Sequence, residues 1–310
     1  MGGSIDLYKA TTKDLLIDRA IPSILGYSPS TVASNLGEVE NKGMEFSLNS
    51  KIIRHENFNW TANFNFSLNK NKIVHLYGDM VNVLDAEGKV VGQREGDDLL
   101  NKWFIGHAID EIWDPVILGV WQVGQETEAA KYGQSPGDFK LLDKDNSGKI
   151  NDLDNEFQGY KKPRFRWNMR HDFNIYKNFD LSFTMYSLWG QKGEFNSAKN
   201  RDGNYPDRLN SYITPYWTPE NPINDYARIF SAEGGAVFNV WRDKSFIRLD
   251  NISLSYDVPK VLLGKVVRNL KLICTVRNAA YYSPDWNYWD AETSNAPTAR
   301  YYTFGVNLDL

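Results

Sequence analysis

Hydrophobic positions along the chain recur every second residue rather than every 3.6. Met44, Phe46, Leu48 and Ile52 fall on one side of the alternation, and Glu45, Ser47, Asn49 and Lys51 on the other. After the polar stretch Arg54-His55-Glu56-Asn57 the pattern resumes. Phe58, Trp60, Ala62, Phe64, Phe66 and Leu68 are set against Asn59, Thr61, Asn63, Asn65, Ser67 and Asn69. Two such runs joined by a few polar residues predict a long antiparallel hairpin. The design returns at Phe165, Trp167, Met169, Phe173 and Ile175, turns at Tyr176-Lys177-Asn178, and continues through Phe179, Leu181, Phe183 and Met185. Further strands are expected over about 241–256, 270–282 and 300–310, and Ser4-Ile5-Asp6-Leu7-Tyr8 already alternates.

These runs are about ten residues or longer, beyond the five or six usual in globular sheets and near what a tilted strand needs to cross a bilayer. A soluble sandwich also sets polar against apolar faces, but it rarely sustains Phe and Trp at every second position for so long. The predicted fold class is therefore all-β, an antiparallel transmembrane β-barrel. The connections are unequal: a few residues at 54–57 and 176–178, but dozens at about 74–162 and 190–240. Bacterial barrels have short periplasmic turns and long extracellular loops, which assigns the two long segments to the outside. With the last strand ending in the periplasm, the parity holds if no strand, or an even number, crosses the membrane between 74 and 162.

Composition changes the picture little. The chain has 310 residues, 42 % hydrophobic and 14 % aromatic, with a mean hydropathy of −0.51. No segment approaches the roughly 18 apolar residues of a membrane helix, a test that a barrel escapes because only alternate residues face lipid. A net charge of −4 excludes a nucleic-acid partner, which would need a basic stripe along the phosphates. The single cysteine, Cys274, excludes an internal disulfide framework. The opening MGGSIDLYKA has no basic and apolar leader, so the chain is expected to begin mid-structure, as a C-terminal fragment.

The final run sets Tyr302, Phe304, Val306, Leu308 and Leu310 against Thr303, Gly305, Asn307 and Asp309. It resembles the terminal signal of barrel-assembly clients, with Leu310 in place of the usual aromatic. Several segments resemble the SusC/RagA branch of the TonB-dependent receptors: Thr12-Lys13-Asp14-Leu15-Leu16, Asn35 to Glu45, Gly137-Asp138-Phe139-Lys140, Asp143 to Ile150, Trp217-Thr218-Pro219-Glu220-Asn221-Pro222, and Ser245 to Tyr256. Arg277-Asn278-Ala279-Ala280 departs from the family's more usual Gln-Asn-Leu. The resemblance covers nearly all of 1–310 and implies the C-terminal portion of a 22-stranded barrel whose plug lies outside these residues. It implies TonB-dependent import across the cell outer membrane of an oligomeric nutrient, glycan or peptide, with a SusD-like surface lipoprotein. TonB would act through the missing N-terminal part. A passive porin and a secreted β-rich carbohydrate-binding module are the alternatives; glycoside hydrolysis needs two carboxylates at a working distance, which sequence does not place.

One chemical motif has specific spacing. Asp143, Asp145, Ser147 and Asp154 fall at positions 1, 3, 5 and 12 of an EF-hand-type loop, with Gly148 at the sharp turn, the Lys149 carbonyl next and Asn151 at the water-bridged position. Ca2+ is the expected ion, in a structural role, although Asp154 replaces the longer Glu and the flanks lack paired helices. An Asx-rich turn is the alternative. Gly133-Gln134-Ser135-Pro136-Gly137 matches a nucleophile elbow, but Pro136 has no N–H to donate to an oxyanion. The four histidines show no metal spacing, and Asn-x-Ser/Thr triplets at Asn59, Asn65 and Asn251 lie within strands. No catalytic residue is assigned, and the protein is expected not to be an enzyme. Trp217, Trp241, Trp286, Tyr288 and Trp289 lie in or beside long loops, where flat rings could hold a glycan or peptide, or else form an interfacial girdle or pack the loops.

Overall fold

The computed structural model describes residues 1–20, 31–35, 37–201, 214–287, 289–294 and 296–310. Among them, eight strands form one antiparallel sheet: β1 (Gly2–Lys13), β2 (Glu38–His55), β3 (Phe58–His75), β4 (Phe165–Ile175), β5 (Phe179–Trp189), β6 (Phe246–Asp257), β7 (Asn269–Tyr282) and β8 (Tyr301–Asp309). Each pairs with its neighbours in chain order, an up-and-down meander with β1 and β8 at its edges. β3 pairs directly with β4, so no strand of this sheet comes between residues 74 and 162. The predicted strand at 241–256 divides: Trp241–Asp243 pairs with Lys192–Glu194, and only Phe246–Asp257 joins the large sheet. The hairpin connection at 54–57 narrows to Glu56-Asn57. The turn after β4 carries positive φ at Tyr176 (51°) and Lys177 (63°).

Register turns the alternation into two faces. One row across the sheet runs Leu48, Phe64, Met169, Met185, Leu249; another runs Ile53, Trp60, Phe173, Leu181, Leu254, Cys274, Phe304. Among the described residues of the strands, this face is left open. Phe304 is 78 % exposed and Ile5 67 %, an apolar extent that water does not tolerate on a monomer. From Phe58 to Leu68 the apolar rows climb about 33 Å along the strand at ~3.3 Å per residue. With the tilt of barrel strands, this makes a band about 25 Å tall, the height of the lipid-facing belt of a barrel. Aromatic rings edge the band at both ends, Phe179 stacked on Tyr256 at 4.5 Å at one and Phe165 on Trp189 at 6.5 Å at the other. Within it, His171 accepts a hydrogen bond at its Nδ1 from Trp60 Nε1 (3.0 Å) and lies 4.9 Å from the Phe183 ring. This satisfies one ring nitrogen in apolar surroundings.

The opposite face is polar. The row Ser4, Ser47, Asn65, Asn168, Tyr186, Arg248, Tyr281 crosses seven strands. Its continuity depends on a bulge. Thr184 pairs with Asn251 and Met185 with Leu249, leaving Asp250 as the extra residue. β6 therefore reverses the parity of its faces there: Asn251, Ser253 and Ser255 lie on the polar face after it, and Arg248 before it.

The chain divides into two compact units. The first comprises Met1–Ile109, Pro163–Gly190 and Ser245–Leu310; the second comprises Asp110–Lys162 and Gln191–Lys244. The second, taken by itself, has its own core of Trp121, Phe139, Phe195 and Phe238. Buried Asp138 anchors it by accepting from Arg228 Nε (2.8 Å) and the Ala232 and Ser135 amides. Gly137, at φ +93°, has no room for a side chain: a Cβ there would lie 2.6 Å from the Trp217 ring. The two family-like segments Gly137-Asp138 and Trp217-Thr218 are thus packed together.

Candidate functional site

The polar face of the sheet lines a hollow of about 890 Å³. Strands β1 to β5 contribute Ser4, Asp6, Glu45, Ser47, Asn65, Arg166, Asn168, Arg170 and Tyr186, brought there by period-two alternation. Ser4 Oγ and Ser47 Oγ are 3.0 Å apart, and Asn65 Nδ2 donates to Asn168 Oδ1 at 2.9 Å. Arg170 is held by Asp172, Nη2 to Oδ1 at 2.7 Å. A surface of amides, hydroxyls and charges of both signs suits a hydrated solute or a polar protein segment, not lipid.

At one end of this face is a buried ionic cluster that the sequence reading did not single out. Arg248, 2 % exposed, donates from Nη2 to both carboxylate oxygens of Asp290 (2.6 Å each) and from Nη1 to Asn278 Oδ1 (2.6 Å). Its guanidinium lies 5.0 Å from the Tyr281 ring and 5.4 Å from that of Phe246. Tyr186 donates its hydroxyl to Glu292 (2.6 Å), and Thr298 to Asp290 (2.6 Å). The connection between β7 and β8 is thereby tied to β5, β6 and β7. Burial pushes the Asp290 carboxyl up, but bonds from Arg248, Thr298 and the Glu292 amide outweigh it and hold it below the usual range. With both carboxylates engaged, the cluster is an anchor rather than an acid–base pair. Its signal in the sequence was the arginine within Phe246-Ile247-Arg248-Leu249.

The acidic loop lies in the second unit. One oxygen each of Asp143, Asp145 and Asp154 lie within 4.8 Å of one another. This is the span that ligands at about 2.4 Å from a shared Ca2+ can cover. Asp143 accepts from the Ser147 and Gly148 amides (3.0 and 2.8 Å) and from the Tyr132 hydroxyl (2.9 Å). Ser147 donates to the Lys149 carbonyl at 3.0 Å, and Asn151 accepts from the Leu153 amide at 2.8 Å, capping a short helical turn. Asp154 is fully buried and accepts from the Lys144 and Asn151 amides. Each carboxylate keeps lone pairs for a cation, so the donor set fits a hard ion.

The aromatic candidates are more enclosed. Trp217 and Trp286 are 6 % and 4 % exposed, and Trp241 and Trp289 are half-buried. Trp217 donates its indole N–H to Gln122 and Trp241 to Asp114, each at 2.8 Å. Tyr288 lies outside the described residues.

No family model matches the chain. It is 31 % identical over 331 residues to TonB-dependent receptor P3 of Formosa agariphila, an alignment covering 98 % of this chain and 32 % of that protein. It is 26 % identical over 318 residues to TonB-dependent receptor SusC of Bacteroides thetaiotaomicron, covering 99 % and 30 %. The solved structure of the RagAB peptide transporter superposes with a TM-score of 0.70 at 19 % identity, covering 99 % of this chain and 33 % of that one. The chain is part of a SusC/RagA-type TonB-dependent receptor. It spans about a third of the length of the curated relatives it matches. The eight strands of the receptor chain are accordingly a section of outer-membrane barrel wall, with the apolar face toward lipid and the polar face toward the lumen. Its relatives are receptors and transporters, not enzymes.

Proposed function

We propose that the chain forms part of the wall of a TonB-driven importer that carries an oligomeric nutrient, glycan or peptide, inward across the outer membrane. A SusD-like lipoprotein would act as its surface partner. The polar lumenal row from Ser4 to Tyr281 carries this reading, because it offers hydrogen bonds to a hydrated oligomer where a lipid-facing surface offers none. In-frame deletion of the full receptor gene, followed by uptake of labelled oligosaccharides and oligopeptides, tests it. Loss of uptake of one class is expected, with the same loss on deleting TonB. Uptake that persists without TonB would instead favour a passive porin, and unchanged uptake without the receptor would sink the import reading.

We further propose that the loop Asp143 to Asp154 binds Ca2+. The support is the 4.8 Å clustering of three carboxylate oxygens and the match of Ser147, Lys149 and Asn151 to the remaining loop positions. Bound calcium would neutralise the carboxylates and stiffen the loop. Titrating metal-stripped receptor with Ca2+ by calorimetry should give a binding isotherm that Asp143→Asn with Asp145→Asn abolishes. No heat from the wild-type protein would leave the segment as an Asx turn.

A further inference from the structure

Above the apolar band, the outward face carries more lysines than carboxylates. The last apolar row includes Leu7, Met44 and Leu68; the next residues on the same face are Lys9, Lys42 and Lys70, directly opposite one another on β1, β2 and β3. The row beyond pairs Glu40 with Lys72, and past it Lys13 pairs with Glu38. Five lysines thus face two glutamates, on a chain whose net charge is −4. Glu40 is shared between Lys9 and Lys42 at 2.7 Å each, and Lys13 approaches Glu38 at 3.6 Å. Lys70 and Lys72 are exposed and have no carboxylate partner among the described residues.

Like charges directly opposite on neighbouring strands destabilise a sheet; Glu40 offsets Lys9 and Lys42, and the excess at Lys70 and Lys72 calls for an anion from outside the chain. Its height identifies the anion. The lysines lie at the end of the strands away from the turns at Glu56-Asn57 and Tyr176 to Asn178, the short connections that bacterial barrels place in the periplasm. They therefore flank the outer leaflet, at headgroup level, where a long lysine stem lies along apolar surface with its ammonium in the polar zone. A hollow of about 480 Å³ there has Met44 and Leu68 as its apolar part, with Lys42, Lys70 and Lys72 and the single carboxylate of Glu40 around it.

We propose that this patch binds a phosphate-bearing glycolipid of the outer leaflet, with its phosphates on Lys42, Lys70 and Lys72 and its acyl chains along Met44 and Leu68. The inference depends on the barrel's orientation and not on the cargo. The test is native mass spectrometry of the full-length receptor, released from nanodiscs of phosphatidylcholine doped with bisphosphorylated lipid A or with its dephosphorylated form. Wild-type receptor should retain the bisphosphorylated lipid at least ~10-fold more than the dephosphorylated one, from the summed attraction of three ammonium groups. Lys42→Gln/Lys70→Gln/Lys72→Gln should abolish the preference, and the triple Arg variant should keep it. Excess inorganic phosphate should not displace the lipid, because it lacks the acyl chains; displacement would identify a free-phosphate site instead. Equal retention of both lipids by the wild type, or an undiminished preference in a triple Gln variant that still migrates as a folded barrel, would overturn the assignment.

Discussion

Arg248 ties the connection after β7 to the sheet, since its partners come from β7 and from that connection. Removing one member of a buried ion pair leaves the other charged and unpaired, at a cost of about 3–5 kcal/mol. Asp290→Ala is therefore expected to free the β7–β8 connection, seen as new protease cleavage within 283–300 on intact cells while the barrel still assembles. Because the Asp290 carboxyl is held below its usual range, the stabilisation is fully present above the unfolded pKa of about 3.9. It is lost as pH falls through the lower folded value. Protease resistance of this segment should thus be flat between about pH 7 and 5 and fail only below about pH 4. An arginine between apolar residues was visible in the sequence. Its face was not, because alternation alone would have turned it toward lipid.

Elements were the most legible level. Period-two alternation located the hairpin of β2 and β3 and the pair β4 and β5, since sustained alternation has one structural reading when both faces must be satisfied. It did not resolve 241–256, where Trp241–Asp243 pairs with Lys192–Glu194, a partner distant in sequence that no local pattern reveals. The loop spacing brought Asp143, Asp145 and Asp154 into view together because these carboxylates are close in sequence; the Arg248 cluster was missed because its members come from three strands and a connection. The two faces make a sharp prediction. Phe64→Arg, at mid-height toward lipid, should cost about 2–4 kcal/mol in urea unfolding from lipid vesicles. Asn65→Arg, one residue on and facing the lumen, should change stability by less than about 1 kcal/mol. Equal costs would contradict the assignment of faces.

At the scale of the whole molecule, β1 and β8 each pair on one side only among the described residues. The sheet therefore presents two open edges, which a barrel abolishes by closure. Closure demands that every strand agree on which parity faces lipid, and the bulge at Asp250 is where β6 changes its parity to agree. The wall thus has a reading frame, and Asp250 is a frameshift written into it. Substituting that residue should matter little, whereas deleting it would swing the stretch from Phe246 to Leu249 to the opposite side and deliver the Arg248 guanidinium to hydrocarbon. Asp250→Ala receptor should reach the outer membrane in normal amounts, and the single-residue deletion should not. In this protein the safest place to shorten the chain is a long connection, and the least forgiving is one residue in the middle of a strand.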